Sequence, residues 1–179
     1  MTAPLRSDAA RNRDRILEAA RAAFAEHGLE IGVDEIAQRA GVGVGTLYRR
    51  FPSKASLVHA IFEQRVDDLA PANERALAEA DPWDGFVGLV FAIAGQQASD
   101  QGFGQMVLRL GPDAVPGDVR RRLVGPLEEL LTRAQASGRA RRDVAAADLP
   151  GIVRLAVTAA TEGDPRRHVG FLLDGLRAR

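Results

Sequence analysis

The sequence predicts an all-α protein of about nine helices, with a small N-terminal three-helix domain and a larger C-terminal helical domain. Three observations lead there. Alanine, leucine and arginine dominate the 179 residues, and all three enter helices at little entropic cost. Few stretches alternate apolar and polar residues with period two. Gly, Pro, Asp and Ser fall at intervals that suit helix ends rather than hairpins. Apolar residues make up 46% of the chain, enough for a packed core and too many for a disordered one.

The elements follow in order. A first helix is expected over about Asp8–His27, where Ile16, Ala20, Ala23, Phe24 and His27 form one stripe and Gly28 stands as the C′ residue. Two short helices are expected at about Val33–Ala40 and Val44–Arg50, separated by Gly41. Ser53 can cap a long fourth helix through Ile61, Phe62, Val66 and Leu69, with a kink or break at Pro71. Asp81-Pro82 opens a fifth, whose apolar face is Phe86, Leu89, Val90, Ile93 and Ala94. A sixth is expected over about Phe103–Leu110, and a seventh ends near Ala136 before Gly138, with a kink at Pro126. Asp148 and Asp164-Pro165 are read as caps of the last two.

The composition also narrows the function. With 24 basic and 24 acidic side chains the net charge is zero, so affinity for a polyanion must come from local placement. Residues 1–65 carry 10 basic and 8 acidic side chains and residues 66–179 carry 14 and 16. That is the sign expected if the first part faces phosphate. Cysteine is absent, which removes disulfides, thiolate metal sites and a cysteine nucleophile. The N-terminus lacks the apolar core of a signal peptide, and the longest apolar run, 86–95, is too short to span a bilayer. A cytoplasmic protein with no membrane partner is expected.

The segment VDEIAQRAGVGVGTLYRRFPSK, residues 33–54, reads as a helix-turn-helix. Ala37 is small where the two helices would cross, and Gly41 supplies a left-handed turn. Val33, Ile36, Ala40, Val42, Leu47 and Phe51 are placed to bury against the first helix. Gly43, Val44, Gly45, Thr46, Tyr48, Arg49 and Arg50 are left facing outward. No acidic residue occurs from Gly41 to Phe62, whereas Arg49, Arg50 and Lys54, the chain's one lysine, are basic. An acid-free basic face fits a phosphate-lined groove. A plain three-helix bundle with a basic surface is the competing structural reading. GVGVGT also resembles a phosphate loop, but such loops follow a strand, and these glycines follow a helix.

ILEAARAAFAEHG, VDEIAQRAGV and GTLYRRFPSK, followed by an apolar helix, together resemble the DNA-binding domain of the TetR family of bacterial regulators. The resemblance is clear over about the first 65 residues. DPWDGFVGLV and FLLDGLRAR look more weakly like one actinobacterial-type subgroup of the family. It implies a sequence-specific DNA-binding regulator, most simply a repressor released from its operator by a small-molecule effector. Residues 1–65 would bind DNA through a motif at about 33–52, and residues 66–179 would bind effector and dimerise. Thr46, Tyr48 and Lys54 match positions that grip phosphate. Val44, Gly45 and Arg49 match positions facing base edges, with Arg50 beside them. An arm bearing Arg6, Arg11 and Arg13 is expected to reach an adjacent groove. Gly32 and Gly43 depart from the family's frequent Ser or Thr.

The expected partners are an operator duplex, a second copy joined through the last two helices, and an unidentified effector near Trp83, Phe86, Phe91, Phe103 and Met106. Gln96, Gln97 and Asp100 are candidate ligand-orienting groups, although all of these residues can equally be core or solvated helix end. No cofactor or metal is expected. His59 and Glu63, one turn apart, lack a second histidine on their face, and no serine lies in a nucleophile-elbow context. The alternatives are a ligand-binding bundle with a vestigial DNA-binding part, a helical enzyme with a pocket in its second domain, and a transcription activator of the same fold.

Overall fold

The computed structural model describes residues 3–111, 114–161 and 164–178, leaving aside the side chains of 3–9, 97–99, 101, 108, 161 and 165. Its described residues form nine α-helices: α1 Ala3–His27, α2 Val33–Arg39, α3 Val44–Arg50, α4 Lys54–Ala78, α5 Pro82–Ser99, α6 Gln101–Leu110, α7 Gly117–Ala136, α8 Leu149–Thr161 and α9 Pro165–Asp174. None is long and apolar enough to cross a membrane. The chain divides into two compact units, Met1–Gln64 with Gln101–Pro116, and Arg65–Asp100 with Gly117–Arg179.

The first unit is built on α1. Ile16, Leu17, Ala20, Ala23 and Phe24 are buried at helical spacing, and so are Ile36, Leu47, Leu57, Ile61 and Phe62 of the helices that follow. His27, expected on this stripe, is instead exposed beside Glu26, because a helix end lets a polar ring reach water. α6 packs on α1, and Phe103 meets Phe62 edge to face at 5.3 Å. Thus α6 belongs by packing to the first unit, which a single boundary near residue 65 does not express.

In the second unit α5 is surrounded by α7, α8 and α9. Phe86, Leu89, Val90, Leu127, Leu130, Leu131, Leu149 and Val169 are buried there. Gly85 marks the closest approach: a Cβ built on it would lie 2.4 Å from the Ala76 carbonyl oxygen and 3.0 Å from Leu130. Asp81 accepts a hydrogen bond from the Trp83 amide at 2.9 Å and from Arg139 Nε at 2.9 Å. It therefore caps α5 and ties that end to the residue after the α7 turn. The arginine bond, and then the amide bond, hold the Asp81 carboxyl below its ordinary value.

Three expectations need correction. Of the kink or break expected at Pro71, the break does not occur, since α4 continues through it to Ala78. Proline removes one bond to the Asp67 carbonyl, but Pro71 and Asp67 are both exposed, so water can satisfy that carbonyl. Asp148 does not cap α8 forward. Its carboxylate accepts from the Ala145 amide at 2.8 Å, closing a 3-10 turn over Ala146–Asp148. The scarcity of alternation did not suggest any strand pairing, yet Ala140 and Arg177 form an antiparallel bridge. There the Arg141 amide donates to Leu176 O at 3.0 Å and the Ala178 amide to Arg139 O at 2.9 Å. By contrast, Asp164 caps α9 as expected, accepting from the amides of Arg166 and Arg167 with Pro165 in the first turn.

Candidate nucleic-acid interface

The α2–α3 pair is held by its turn. Gly41 has φ +65°, its amide donates to Gln38 O at 3.1 Å, and the Val42 amide reaches back to Ala37 O at 3.0 Å. This is a Schellman closure, and it requires the left-handed residue that glycine supplies without steric cost. Ala37 is fully buried, consistent with a close helix crossing. Arg39 donates from Nη1 to Glu26 Oε2 and from Nη2 to Glu35 Oε1, each at 2.7 Å, fixing the end of α2 to the end of α1. The hydrogen bond from Arg39 is the main reason the Glu26 carboxyl sits below its ordinary value.

α3 begins at Gly43, with extended backbone (φ −68°, ψ 141°) and no side-chain cap. The Gly43 carbonyl accepts from the amides of Thr46 at 2.8 Å and Leu47 at 3.1 Å. Leu47 is the helix's one buried residue and is fully enclosed. The other side chains of this short helix are left to water: Val44 is 37% and Tyr48 47% exposed, Arg49, Arg50 and Gly45 are exposed, and Thr46 is half-buried. Among the described residues no carboxylate pairs with Arg49 or Arg50. Phe51, buried, ends the helix, and Ser53 and Ser56 cap α4 reciprocally, each amide donating to the other's hydroxyl at 3.1 Å.

Two outcomes were not legible beforehand. Lys54 Nζ donates to Leu29 O at 2.6 Å, so the start of α4 is tied to the 3-10 turn Gly28–Glu30. An ammonium has three donors, which leaves two for another acceptor. The first helix also starts earlier than expected, at Ala3 rather than about Asp8, so the arm is part of α1 with Arg11 and Arg13 in it, and the Arg6 side chain lies outside the described residues. A cleft lined by Asn12, Arg13, Ile16, Thr46, Arg49 and Arg50 results. Asn12 and Arg13 were missed as neighbours of α3, although they stand four and three residues before Ile16 and so share its side of the helix. Asn12 Oδ1 accepts from Arg15 Nη2 at 2.5 Å, and Arg13 lies 3.8 Å from Asp14.

The residues expected around an effector fall in different units. Trp83 and Phe86, buried and stacked with centroids 5.6 Å apart, belong to the second unit's core, with Phe91 packed against it. Phe103 and Met106, also buried, belong to the first. Asp100 pairs with the buried Arg65, and the Gln97 side chain lies outside the described residues.

The profile of bacterial regulatory proteins of the tetR family matches residues 16–61, and that of the SbtR-like transcriptional regulator C-terminal domain matches residues 81–178. The chain is similar to the crystal structure of a TetR transcription regulatory protein from Mycobacterium vanbaalenii, at 38% identity over 98% of this chain and all of that one, with TM-score 0.58. It is also similar to a TetR transcriptional regulator from Streptomyces coelicolor, at 30% identity over 93% and 98% of the two chains, with TM-score 0.56. An HTH-type transcriptional regulator of Staphylococcus aureus strain USA300 is 42% identical over 64 residues. That match spans only about a third of either protein, 35% of each.

Proposed function

The chain belongs to the TetR family of bacterial regulatory proteins, a class of transcriptional regulators rather than enzymes, and from that premise we propose that it is a cytoplasmic repressor that grips its operator as a homodimer and is released by a small-molecule effector. The observation that carries the proposal is the outward face of α3. A seven-residue helix anchored by one buried leucine presents Val44, Tyr48, Arg49 and Arg50 to solvent, beside a cleft to which α1 adds Asn12 and Arg13. The width of a helix suits the major groove, and Arg49 and Arg50, with which no carboxylate of the described residues pairs, suit the phosphates on either side.

The roles follow from chemistry and position. Thr46 and Tyr48 donate hydroxyls to phosphate, and Lys54 adds the two N–H groups that Leu29 does not take. Arg49 and Arg50 reach base edges, where arginine on guanine is the commonest specific contact. Gly43 and Gly45 allow the backbone of the first turn to approach the duplex. On this reading residues 1–65 bind DNA, and effector binding and dimerisation fall to residues 66–179 apart from α6, which packs with the first unit.

A single such motif covers too little surface for specific binding, so two copies are needed. Leu155 on α8 and Phe171 on α9, 57% and 61% exposed, support a homodimer through these helices. Trp83, the chain's one tryptophan, marks the second unit, where effector is proposed to act, with Phe86 beside it. A titration of the full chain with small apolar and aromatic acids, followed by Trp83 emission, tests that step. Quenching that also lowers operator affinity supports it, and quenching without such coupling removes it.

The operator reading is tested by footprinting the full chain on the DNA flanking its own gene. Protection of two half-sites is expected, about one helical turn or a multiple apart. Tyr48→Phe and Lys54→Ala should weaken binding to every sequence and flatten the salt dependence, whereas Arg49→Ala should also blur the preferred sequence. Unchanged protection by all three variants contradicts these roles.

A further inference from the structure

We propose that Val44 selects thymine, its isopropyl group packing on the C5-methyl of one thymine in each operator half-site. The inference rests on the DNA-binding reading above and adds the base chemistry that α3 recognises. Val44 is the first residue of α3 and is 37% exposed. The part of the isopropyl group that stays exposed at this helix start is apolar surface that a contact with something apolar would remove from water.

The glycines on either side strengthen the case. A Cβ built on Gly45 would meet nothing within 4 Å, and one on Gly43 only the Thr46 hydroxyl at 3.9 Å. Neither glycine is among the four with positive φ. Packing and backbone geometry therefore require glycine at neither position. Their effect is to clear the surface on either side of Val44, leaving its side chain and the half-buried Thr46 as the outward projections of the first turn. Arg13, Arg49 and Arg50 rim the neighbouring cleft, and no acidic residue occurs from Gly41 to Phe62. An apolar knob within a cationic rim is complementary to the major groove, where phosphates flank the bases and the thymine methyl is the only apolar group on a base edge. Against cytosine N4 or guanine O6 the same isopropyl would strip water from a polar atom and replace it with nothing.

The test uses the full chain and duplexes selected from a random-sequence library. In the selected operator each thymine is replaced in turn by uracil, which removes only the methyl group. Wild-type protein is expected to lose about 3- to 5-fold in affinity per half-site at one thymine position, the effect of one buried methyl. Val44→Ala should bind the thymine and uracil duplexes equally, at about the affinity of wild type for uracil. Because the side chain is exposed, helical content should be unchanged, as circular dichroism would check. Wild type indifferent to every uracil, or Val44→Ala still penalised by uracil to the full extent, overturns the proposal while leaving the DNA-binding reading intact. Failure to select any duplex overturns both.

Discussion

Two regions of this molecule each expose a pair of large apolar side chains, and they differ in their surroundings. On α3, Val44 and Tyr48 stand among arginines and glycines, on a helix whose inward side is Leu47 alone. On α8 and α9, Leu155 and Phe171 stand on helices whose inward sides join a core of many residues, and the Arg167 guanidinium lies 5.5 Å from the Phe171 ring centre. The first arrangement suits a polyanion with an apolar methyl within it. The second suits another apolar helix face. A short helix can serve recognition with nearly all its residues because one anchor suffices. A pair of longer helices uses most of its apolar residues on its own core, and the remainder on a partner.

The largest expected effect probes that single anchor. Leu47→Ala should cost about 2–5 kcal/mol and abolish operator binding, while Trp83 emission stays native. Loss of the Trp83 signal as well would mean that the anchor supports both regions. Gly85→Ala makes the converse cut, forcing a methyl against the Ala76 carbonyl. It should cost about 1–3 kcal/mol in urea unfolding followed at Trp83, and a neutral result would show that α5 shifts freely.

Acid should weaken both regions modestly. Glu26, Asp81 and Asp143 have carboxyls held below their ordinary values, chiefly by hydrogen bonds from Arg39, Arg139 and Arg141. A carboxyl depressed in the folded state stabilises above its unfolded value, and that contribution is lost as pH falls through the folded one. The melting temperature should therefore be flat from neutral pH down to about 5 and decline below about 4. Asp81→Asn should show a shallower decline. The smallest effect is a gain: Gly43→Ser supplies the missing cap of α3 and should add a few tenths of a kcal/mol, seen as a small rise in melting temperature.

The helix-turn-helix was legible because its determinants are local. Gly41, the buried Val33, Ile36 and Leu47, and the acid-free run after Gly41 all lie within a short stretch of sequence. The start of α1 was not, since its first residues carry no apolar stripe, and neither was the placing of Asn12 and Arg13 beside Arg49, which depends on how α1 packs rather than on where it begins. Pro71 and Asp148 misled for a common reason: a local rule states which bond a residue gives up or accepts, whereas exposure and the neighbouring turn decide whether the helix ends there. Trp83 and Phe103 look alike in sequence, as bulky residues after helix starts, and only packing assigns them to different cores. The Lys54 tie to Leu29 spans 25 residues and has no signature in either segment.

Since the chain contains no cysteine, one can be introduced and labelled alone, which permits the most direct test of α3 as the reading element. Val44→Cys and Leu155→Cys, each carrying an iron chelate that cleaves nearby DNA, would be compared on the footprinted operator. Cleavage inside each protected half-site from position 44, and none there from position 155, is the predicted result. Cleavage from position 155 alone, or none from position 44 on a duplex the protein protects, would contradict the account.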